Sequence, residues 1–395
     1  MKVLVVSSIF PNSQQATKGI FIQQQVAELA AFCDIKVVAP VPWAPPLKRV
    51  RKWHVFSRIK RREKTAGLDV YHPRYLVIPK IGRALYGFCY LAGIYSTVKK
   101  ILRDFDCDIL FAYFAYPDGF AVSLLARMLK RPFVIKVLGS DINIFLRSRI
   151  RRFLTVFALR RAQRVIAVSN DLKKKIGQLG ISAEKIAVVP NGVDLERFRP
   201  REKDRSRTEL NLAAERPVIL FVGSLIKTKG VEFLFDAFTH MRTMIEPRPV
   251  LVFIGEGDLR ASLAEKIKTA HLGRDVLLEK AKAHNAVPQW INACDVLCLP
   301  SFNEGCPNVI LEALACGRPV VAADVGGIPE IITSNDYGIL VPARQSEPLC
   351  RALAEALQKR WDVQMLRRKT EGCTWRRTAK NIYQTLQDGM PSAEE

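Results

Sequence analysis

The most informative part of the sequence is residues 299–319, LPSFNEGCPNVILEALACGRP. The run that leads into it, residues 295–299, is short, apolar after its first residue and stopped by a proline, which is typical of a buried parallel strand. Gly305 and Pro307 prevent a regular helix through the next residues. From Asn308 the apolar spacing predicts a helix that a glycine and a proline end. The stretch therefore predicts a strand, a loop and a helix of an open α/β sheet.

Two carboxylates fall at informative places in this unit. Glu304 lies in the loop after the strand, and Glu312 lies early on the helix. Ligands of open α/β sheets bind at this edge, against helix N-termini whose N–H groups attract anions. Carboxylates beside an anion site are suited to accepting hydrogen bonds from hydroxyl groups. The pair therefore favours a ligand that carries both phosphates and a sugar.

These residues carry a resemblance to a known family. Glu304 and Glu312 form an E-x7-E pair with Pro-Asn between them and ACGRPVV after them, which resembles the donor-site signature of retaining glycosyltransferases of family 4. The resemblance implies the GT-B architecture, an α/β fold of two Rossmann-like doubly wound domains with a cleft between them. We expect an acceptor-binding domain over residues 1–195, a nucleotide-sugar donor domain over 196–374, and a C-terminal helix, 375–390, that packs back on the first.

The resemblance also implies the roles of individual residues. The segment GSLIKTKG, residues 223–230, aligns Lys229 with the family lysine that binds the donor diphosphate, and Ser224 stands where the family often has arginine. Glu304 would bind the sugar hydroxyls and Glu312 the ribose. The catalytic set predicted in this way is Glu304, Lys229 and Asp141. The predicted donor-binding set is Gly19, Ser224, Lys229, Glu304, Gly305, Cys306, Pro307, Asn308, Val309 and Glu312.

Departures from the family pattern concentrate on the acceptor side. Gly139-Ser140-Asp141 resembles a family turn beside the sugar and the acceptor, but Leu138 stands where that turn usually has histidine. Phe111 and Tyr113 likewise replace the histidines of a common His-Ala-His. Asp141 is the remaining titratable candidate, and an ordinary turn or cap aspartate is its alternative. Gly19 marks the loop that would approach the donor phosphates, with a plain turn as the alternative.

The net charge of +23 is concentrated in the first half of the chain. Residues 1–200 hold 35 Lys and Arg against 13 Asp and Glu, whereas residues 201–395 hold 26 against 25. The densest part, residues 48–64, contains nine cations and one glutamate, with Trp53 and Phe56 interleaved. Such a field favours an anionic partner. We expect this segment to dock on the anionic inner face of a membrane, with both aromatic rings at the headgroup level. A solvated basic loop that only aids solubility is the alternative, and a second basic cluster, residues 147–175, is the other docking candidate.

Composition bears on the cofactors and the cellular location of the protein. The five histidines lie far apart and no D-x-D pair suggests a Mg²⁺-diphosphate clamp, so no metal and no cofactor besides the nucleotide-sugar co-substrate is expected. Nine scattered cysteines without a C-x-x-C pair predict buried thiols of a reducing compartment. No stretch approaches the ~20 apolar residues of a membrane span, and no signal-peptide pattern is seen at the N-terminus. We therefore expect a cytoplasmic enzyme that is peripheral on the membrane.

The leading hypothesis is a retaining glycosyltransferase that acts on a glycan or lipid-linked acceptor in surface polysaccharide biosynthesis. Two alternatives stay open. A nucleotide-sugar epimerase shares the same architecture, so the fold alone does not decide between them. A basic protein that binds nucleic acid or another anionic ligand would also explain the charge, although the chain lacks a recognised nucleic-acid-reading motif. We expect no nucleic-acid partner.

Overall fold

A computed structural model describes residues 1–43, 51–77, 86–143, 146 and 148–391, and for residues 51–54 the backbone alone. The chain divides into two compact units. Unit 1 combines Met1–Pro190 with Trp375–Glu395, and unit 2 is Asn191–Thr374. Each unit is built on its own sheet, which is parallel throughout in unit 2 and parallel except for one edge strand in unit 1. The predicted α/β class is confirmed.

Unit 1 contains a sheet with the strand order β10-β9-β8-β7-β1-β2-β5-β4 in the described residues. All its neighbours are parallel except β4, which pairs antiparallel with β5. A separate parallel pair joins β3 and β6. The strands are β1 (Lys2–Val6), β2 (Asp34–Val38), β3 (Val41–Pro42), β4 (Arg62–Thr65), β5 (Leu68–Tyr71), β6 (Arg74–Tyr75), β7 (Ile109–Tyr113), β8 (Phe133–Val137), β9 (Arg164–Ala167) and β10 (Ile186–Val188).

The helices of unit 1 connect these strands. A π-helical turn, Ala115–Gly119, precedes the fourth of them. The helices are α1 (Ile20–Leu29), α2 (Arg51–Arg58), α3 (Tyr86–Asp104), α4 (Phe120–Leu129), α5 (Ser140–Asn143), α6 (Arg149–Arg161), α7 (Asn170–Gly177) and, from the end of the chain, α16 (Trp375–Gln387).

The C-terminal helix completes the core of unit 1. The strands β1, β7 and β8 are buried and apolar except for the exposed Lys2 of β1 and the buried Lys136 of β8, as expected of parallel strands covered on both faces. One face is covered by α1 and α16, which pack against each other. From α16 the side chains of Ala379, Ile382 and Leu386 join Val3 and Val5 of β1 in a single apolar cluster. The helices α3, α4 and α6 pack together elsewhere on the unit.

Unit 2 has the strand order β13-β12-β11-β14-β15-β16, and all its pairs are parallel. Its strands are β11 (Val218–Val222), β12 (Val250–Ile254), β13 (Val276–Glu279), β14 (Val296–Leu299), β15 (Val320–Ala323) and β16 (Gly338–Val341). Its helices are α8 (Lys203–Glu209), α9 (Val231–Met241), α10 (Arg260–Thr269), α11 (Val287–Ala293), α12 (Asn308–Ala315), α13 (Ile328–Ile331), α14 (Ser346–Gln358) and α15 (Val363–Arg368).

The strand and helix predicted around Glu304 are confirmed, since β14 ends at Leu299 and α12 begins at Asn308. A different segment was predicted wrongly. The polar composition of residues 199–215 predicts a surface linker or loop, whereas the segment contains α8. Arg207 of this helix is buried, its guanidinium lies 2.6 Å from a carboxylate oxygen of Asp295, and it donates to the carbonyl of Ala293. The ion pair of this buried arginine therefore anchors a helix that the polar composition does not predict.

The basic segment 48–64 contains regular structure. Residues 48–50 lie outside the described residues, but α2 and β4 cover much of the rest. Phe56 is buried and forms a small cluster with Val41 and Ile59. The expectation that Phe56 inserts at a membrane surface is therefore wrong, because its ring already lies inside unit 1.

Two general features bear on the earlier expectations. No helix among the described residues is long and apolar enough to cross a membrane. The cysteines are free thiols, and most of them are buried, as predicted. Burial raises the pKa of the Cys294 and Cys316 thiols to about 12.

Candidate active site

The strand order of unit 2 reverses beside its first strand. The chain leaves β11 toward β12 on one side and later returns to β14 on the other. The loops that follow β11 and β14 therefore flank a crevice at the carboxyl edge of the sheet, which is where open α/β sheets bind ligands. Lys229 lies in the first loop and Glu304 in the second.

The two loops approach each other closely. The N–H of Phe302 donates to the carbonyl of Thr228 at 2.8 Å. Gly230 has a φ of +68°, and a Cβ on it would lie 2.0 Å from the carbonyl oxygen of Pro300. Only glycine allows this approach in this backbone conformation.

Lys229 and Glu304 form an ion pair across the two loops. The ammonium Nζ of Lys229 lies 2.5 Å from Oε1 of Glu304, whose side chain is only 10% exposed. By contrast, Lys227 and Ser224 on the same loop are exposed to solvent. The structure thus brings Lys229 and Glu304 together, whereas the side chains of Lys227 and Ser224 face solvent.

The loop before α12 is held by a residue that the sequence did not single out for the site. Asn191 donates through Nδ2 to the carbonyl of Cys306 at 3.1 Å and to Oδ1 of Asn308 at 2.8 Å. Gly305 and Pro307 are buried, whereas Cys306, Asn308 and Val309 are half-buried. The first N–H groups of a helix have no acceptor within it, so the start of α12 presents donors suited to an anion.

Glu312 is part of a second polar chain within unit 2. Its Oε1 lies 3.0 Å from Nε2 of His284, whose Nδ1 lies 2.9 Å from Nη1 of Arg197. A guanidinium donates and cannot accept, so Nδ1 accepts here and the ring proton sits on Nε2. His284 therefore donates to Glu312. The ring edge of Phe198, 5.2 Å away between centroids, packs against the imidazole.

Sequence reasoning missed His284, although it lies in the loop after β13, at the carboxyl edge of the sheet where ligands bind. Arg197 and Glu312 are distant from it in sequence, and no spacing pattern links the three. The position of His284 in that loop was the only available signal.

In unit 1, Asp141 is fully buried at the start of α5. Its carboxylate accepts from the N–H groups of Ala115 at 3.0 Å, Gly139 at 2.9 Å and Leu138 at 3.3 Å. Burial raises the pKa of this carboxyl above its ordinary value, and the backbone donors oppose that rise. These contacts join the loops after β7 and β8. The geometry favours a positioning role for Asp141, and its catalytic role stays a prediction.

A second buried carboxylate at the same edge was not predicted. Asp118 accepts from the backbone N–H of Ser8, from the Ser8 hydroxyl at 2.8 Å and from the Tyr90 hydroxyl at 2.6 Å. Burial raises the pKa of Asp118 to about 7. It ties the loop after β1 to α3 and the π-helical turn.

Gly19 begins α1 as predicted. Its φ is +73°, and a Cβ on it would lie 2.7 Å from the carbonyl oxygen of Ile9 in the loop after β1. The glycine therefore lets the helix start pack tightly on that loop, and a contact with donor phosphates stays a prediction.

No group of three or more His, Cys, Asp or Glu side chains in the described part of the chain is placed to hold a metal ion. The expectation of metal-independent chemistry therefore rests on the residues at the site, and it stays a prediction.

Comparisons with known proteins bear on the family and the fold of the chain. Residues 20–197 match the family model described as Glycosyltransferase Family 4, and residues 202–371 match the one described as Glycosyl transferases group 1. A Bacillus subtilis protein assigned to teichuronic acid biosynthesis as a glycosyltransferase is 28% identical over 98% of this chain and 94% of its own length. A D-inositol 3-phosphate glycosyltransferase of Jonesia denitrificans is 34% identical over 50% of each chain.

Solved structures show the same fold. Sucrose-phosphate synthase from Thermosynechococcus elongatus superposes with a TM-score of 0.78 at 19% identity, over 98% of both chains. Anabaena HepE, solved with UDP-glucose, superposes with a TM-score of 0.69 at 21% identity, over 98% of this chain and 97% of its own.

Fold, family models and relatives together define a glycosyltransferase with the GT-B fold. The predicted fold is confirmed, and so is the enzyme class. Within that class the chain belongs to the family 4 type of glycosyltransferases. The epimerase and anion-binder alternatives lose their support.

Proposed function

We propose that this enzyme transfers a sugar from a nucleotide-diphosphate sugar to an acceptor hydroxyl with retention of anomeric configuration. The observation that carries the proposal is the pairing of Lys229 with Glu304 at the switch point of unit 2. A cation there suits a departing diphosphate, and a carboxylate suits sugar hydroxyls. HepE, which has the same fold, was solved with UDP-glucose, and this supports the class of donor.

The chemical task is to stabilise the diphosphate as it leaves and the oxocarbenium-like sugar that remains. Lys229 and the N–H groups of residues 306–309 would bind the phosphates, with contributions from Ser224 and from the loop at Gly19. Glu304 would accept from the sugar hydroxyls and Glu312 from the ribose. We assign no nucleophile to the protein, in contrast to the carboxylate pair of retaining glycosidases. In this proposal an oxygen of the leaving diphosphate takes the acceptor proton.

The proposed acceptor is a lipid-linked glycan of surface polysaccharide biosynthesis, reached from the cytoplasmic face of a membrane. The relative assigned to teichuronic acid biosynthesis, aligned over nearly the whole chain, supports the pathway class. The positive charge of residues 1–200 supports an anionic surface as a partner. In the described part of the basic segment, Lys60, Arg61 and Arg62 are exposed, and Arg62 pairs with Asp69 at 3.0 Å.

The first test is a thermal-shift screen against UDP-, GDP- and ADP-sugars, each with and without EDTA. A ligand at 100 times its Kd stabilises the folded protein by about 2.7 kcal/mol. One of the three nucleotides should raise the melting temperature, and both this shift and transfer activity should persist in EDTA because Lys229 and backbone donors hold the diphosphate. Absence of any shift would contradict the donor proposal. Complete loss of transfer in EDTA with recovery in Mg²⁺ would contradict metal independence.

A second prediction concerns Glu312 and His284. Glu312→Ala should weaken the donor and the free nucleotide equally, by about 10- to 100-fold, because a hydrogen bond to a charged group is lost. His284→Ala should weaken both by a smaller factor, about 3- to 10-fold, because the remaining Glu312 loses its orientation. His284→Gln should recover most of this loss, since its amide can still donate to the carboxylate. Calorimetric titration with donor and with free nucleotide measures these effects.

His240→Ala is the matched control, because that histidine lies exposed on α9 of the same unit. It should leave both affinities unchanged. In a double-mutant cycle the effects of His284→Ala and Glu312→Ala should not add, since the first acts through the second. Additive effects would show that His284 does not act through Glu312.

A further inference from the structure

Helix α6 presents an unusual face to solvent. Its sequence, RIRRFLTVFALRR, buries Leu154, Thr155, Ala158 and Leu159 on one side. At 3.6 residues per turn, Phe153 lies at the centre of the opposite side. Phe153 is 67% exposed and Ile150 is 58% exposed. Two large apolar side chains thus point to solvent from the first turns of one helix.

Helix α6 packs against two neighbouring helices through aromatic contacts. Phe157, one turn after Phe153, lies 5.9 Å from Phe120 of α4 between ring centroids. Phe120 in turn lies 5.0 Å from Phe88 of α3, which is 49% exposed. Phe120 is itself buried, so the apolar side chains that these helices expose to solvent here are Phe153 of α6 and Phe88 of α3. We call this surface, with Ile150, the α6 face.

The charged side chains of helix α6 have one sign. Helix α6 carries five arginines and no acidic residue. Arg149 and Arg152 are exposed, and no carboxylate of the described residues lies within 4.0 Å of either. At the far end of the helix the guanidinium of Arg161 lies 4.2 Å from the centroid of the Phe157 ring. An apolar helix face rimmed by arginine is the pattern of helices that lie in a membrane interface.

The position of the α6 face relative to the sheet of unit 1 is consistent with an acceptor that is held in a membrane. The helices α3 and α4 precede and follow β7, and α6 follows β8, so in parallel crossovers all three begin at the carboxyl edge. Phe88, Phe120 and Phe153 lie in the first two turns of these helices. The α6 face therefore borders the edge at which open α/β sheets bind ligands.

A second copy of the chain is a poor occupant of this surface. In a two-fold interface the same patch meets itself, and the arginines of one copy would face those of the other. A phospholipid surface with negative headgroups matches both the apolar side chains and the positive charges of the α6 face.

We propose that the α6 face is the surface through which this enzyme docks on an anionic lipid bilayer. Phe153, Ile150 and Phe88 enter the headgroup region, and Arg149 and Arg152 contact lipid phosphates. The inference deepens the proposed function by locating its membrane surface. It also replaces Phe56, whose ring is buried, as the source of apolar contact. Binding to lipid requires neither donor nor transfer.

Sedimentation with vesicles tests the proposal directly. Wild-type protein should bind vesicles of equal parts phosphatidylglycerol and phosphatidylcholine, bind pure phosphatidylcholine poorly, and bind less tightly as salt is raised. Ile150→Ser with Phe153→Ser should lower the affinity about 10-fold or more, because two side chains no longer enter the interface. Arg149→Gln with Arg152→Gln should lower it about 25-fold, at about fivefold for each arginine.

Matched controls come from unit 2. Met244→Ser removes an apolar side chain that is 65% exposed, and Arg205→Gln with Arg351→Gln removes two exposed charges. These variants should bind vesicles as the wild type does. All variants should keep the wild-type melting temperature and donor-induced shift, so that failure of docking and failure of the proposed function are separable.

Three outcomes would overturn the inference. The first is equal vesicle binding by the wild type and by the serine variant. The second is loss of binding when only Lys60, Arg61 and Arg62 are neutralised, which would assign docking to the basic segment. The third is no binding of the wild type to anionic vesicles.

Discussion

Replacing Lys229 by alanine should lower kcat/KM for sugar transfer by about 100- to 1000-fold, the usual cost of removing one group that stabilises developing charge. Two effects add in this variant. The diphosphate loses its nearest cation, and Glu304, whose side chain is largely buried, is left facing the phosphates without its partner. Steady-state kinetics over a range of donor concentrations, with free-nucleotide affinity in parallel, measures both effects.

Lys227→Ala is the matched control, because Lys227 lies in the same turn but is exposed. It should change kcat/KM by less than about threefold, as for an exposed charge. A double variant of Lys229→Ala with Glu304→Gln should recover part of the donor affinity lost in Lys229→Ala, since the uncompensated carboxylate is gone. Equal and small effects of the two lysine variants would assign phosphate binding to another part of the chain.

The second large effect is expected for Glu304→Gln. This change keeps the shape of the side chain but removes the charge that accepts from sugar hydroxyls and faces the positive sugar in the transition state. We expect kcat to fall by about 100-fold or more while the affinity for free nucleotide stays within about threefold of wild type. Single-turnover transfer and nucleotide titration separate the two quantities.

Glu256→Gln supplies the control, because Glu256 is an exposed glutamate in the loop after β12 of the same sheet. Its rate should match the wild type. If Glu304→Gln weakens free nucleotide as much as it slows turnover, Glu304 contacts the nucleotide and its assignment to the sugar is wrong.

Local patterns were sufficient to predict the strand and helix around Glu304. Pro300, Gly305 and the helical spacing of apolar residues after Asn308 each determine the backbone within a few residues. The sequence was therefore enough to place β14, the loop and α12. The resemblance then extended the prediction to Lys229, which belongs to a loop 75 residues away. The local sequence around Lys229 and around Glu304 does not predict that the two loops lie close together, because this depends on the pairing of β11 with β14 and on Gly230.

The missed features have a common physical cause. Arg207 and His284 are polar residues whose partners, Asp295 and Glu312, lie far away in sequence. A polar residue that is buried through such a partner has the same local pattern as one in solvent. The polar segment around Arg207 was therefore interpreted as a linker, and His284 was passed over.

The return of α16 to unit 1 has a consequence for the order in which the chain can fold during synthesis. Ala379, Ile382 and Leu386 belong to the core of unit 1, but the ribosome adds them only after all of Asn191–Thr374. Unit 2 is continuous in sequence, so it is the first to have every residue it needs, and domains generally fold as units once they emerge. Until α16 emerges, the apolar side chains that it covers, including Val134 and Ile166, lack part of their core and offer a binding surface for chaperones.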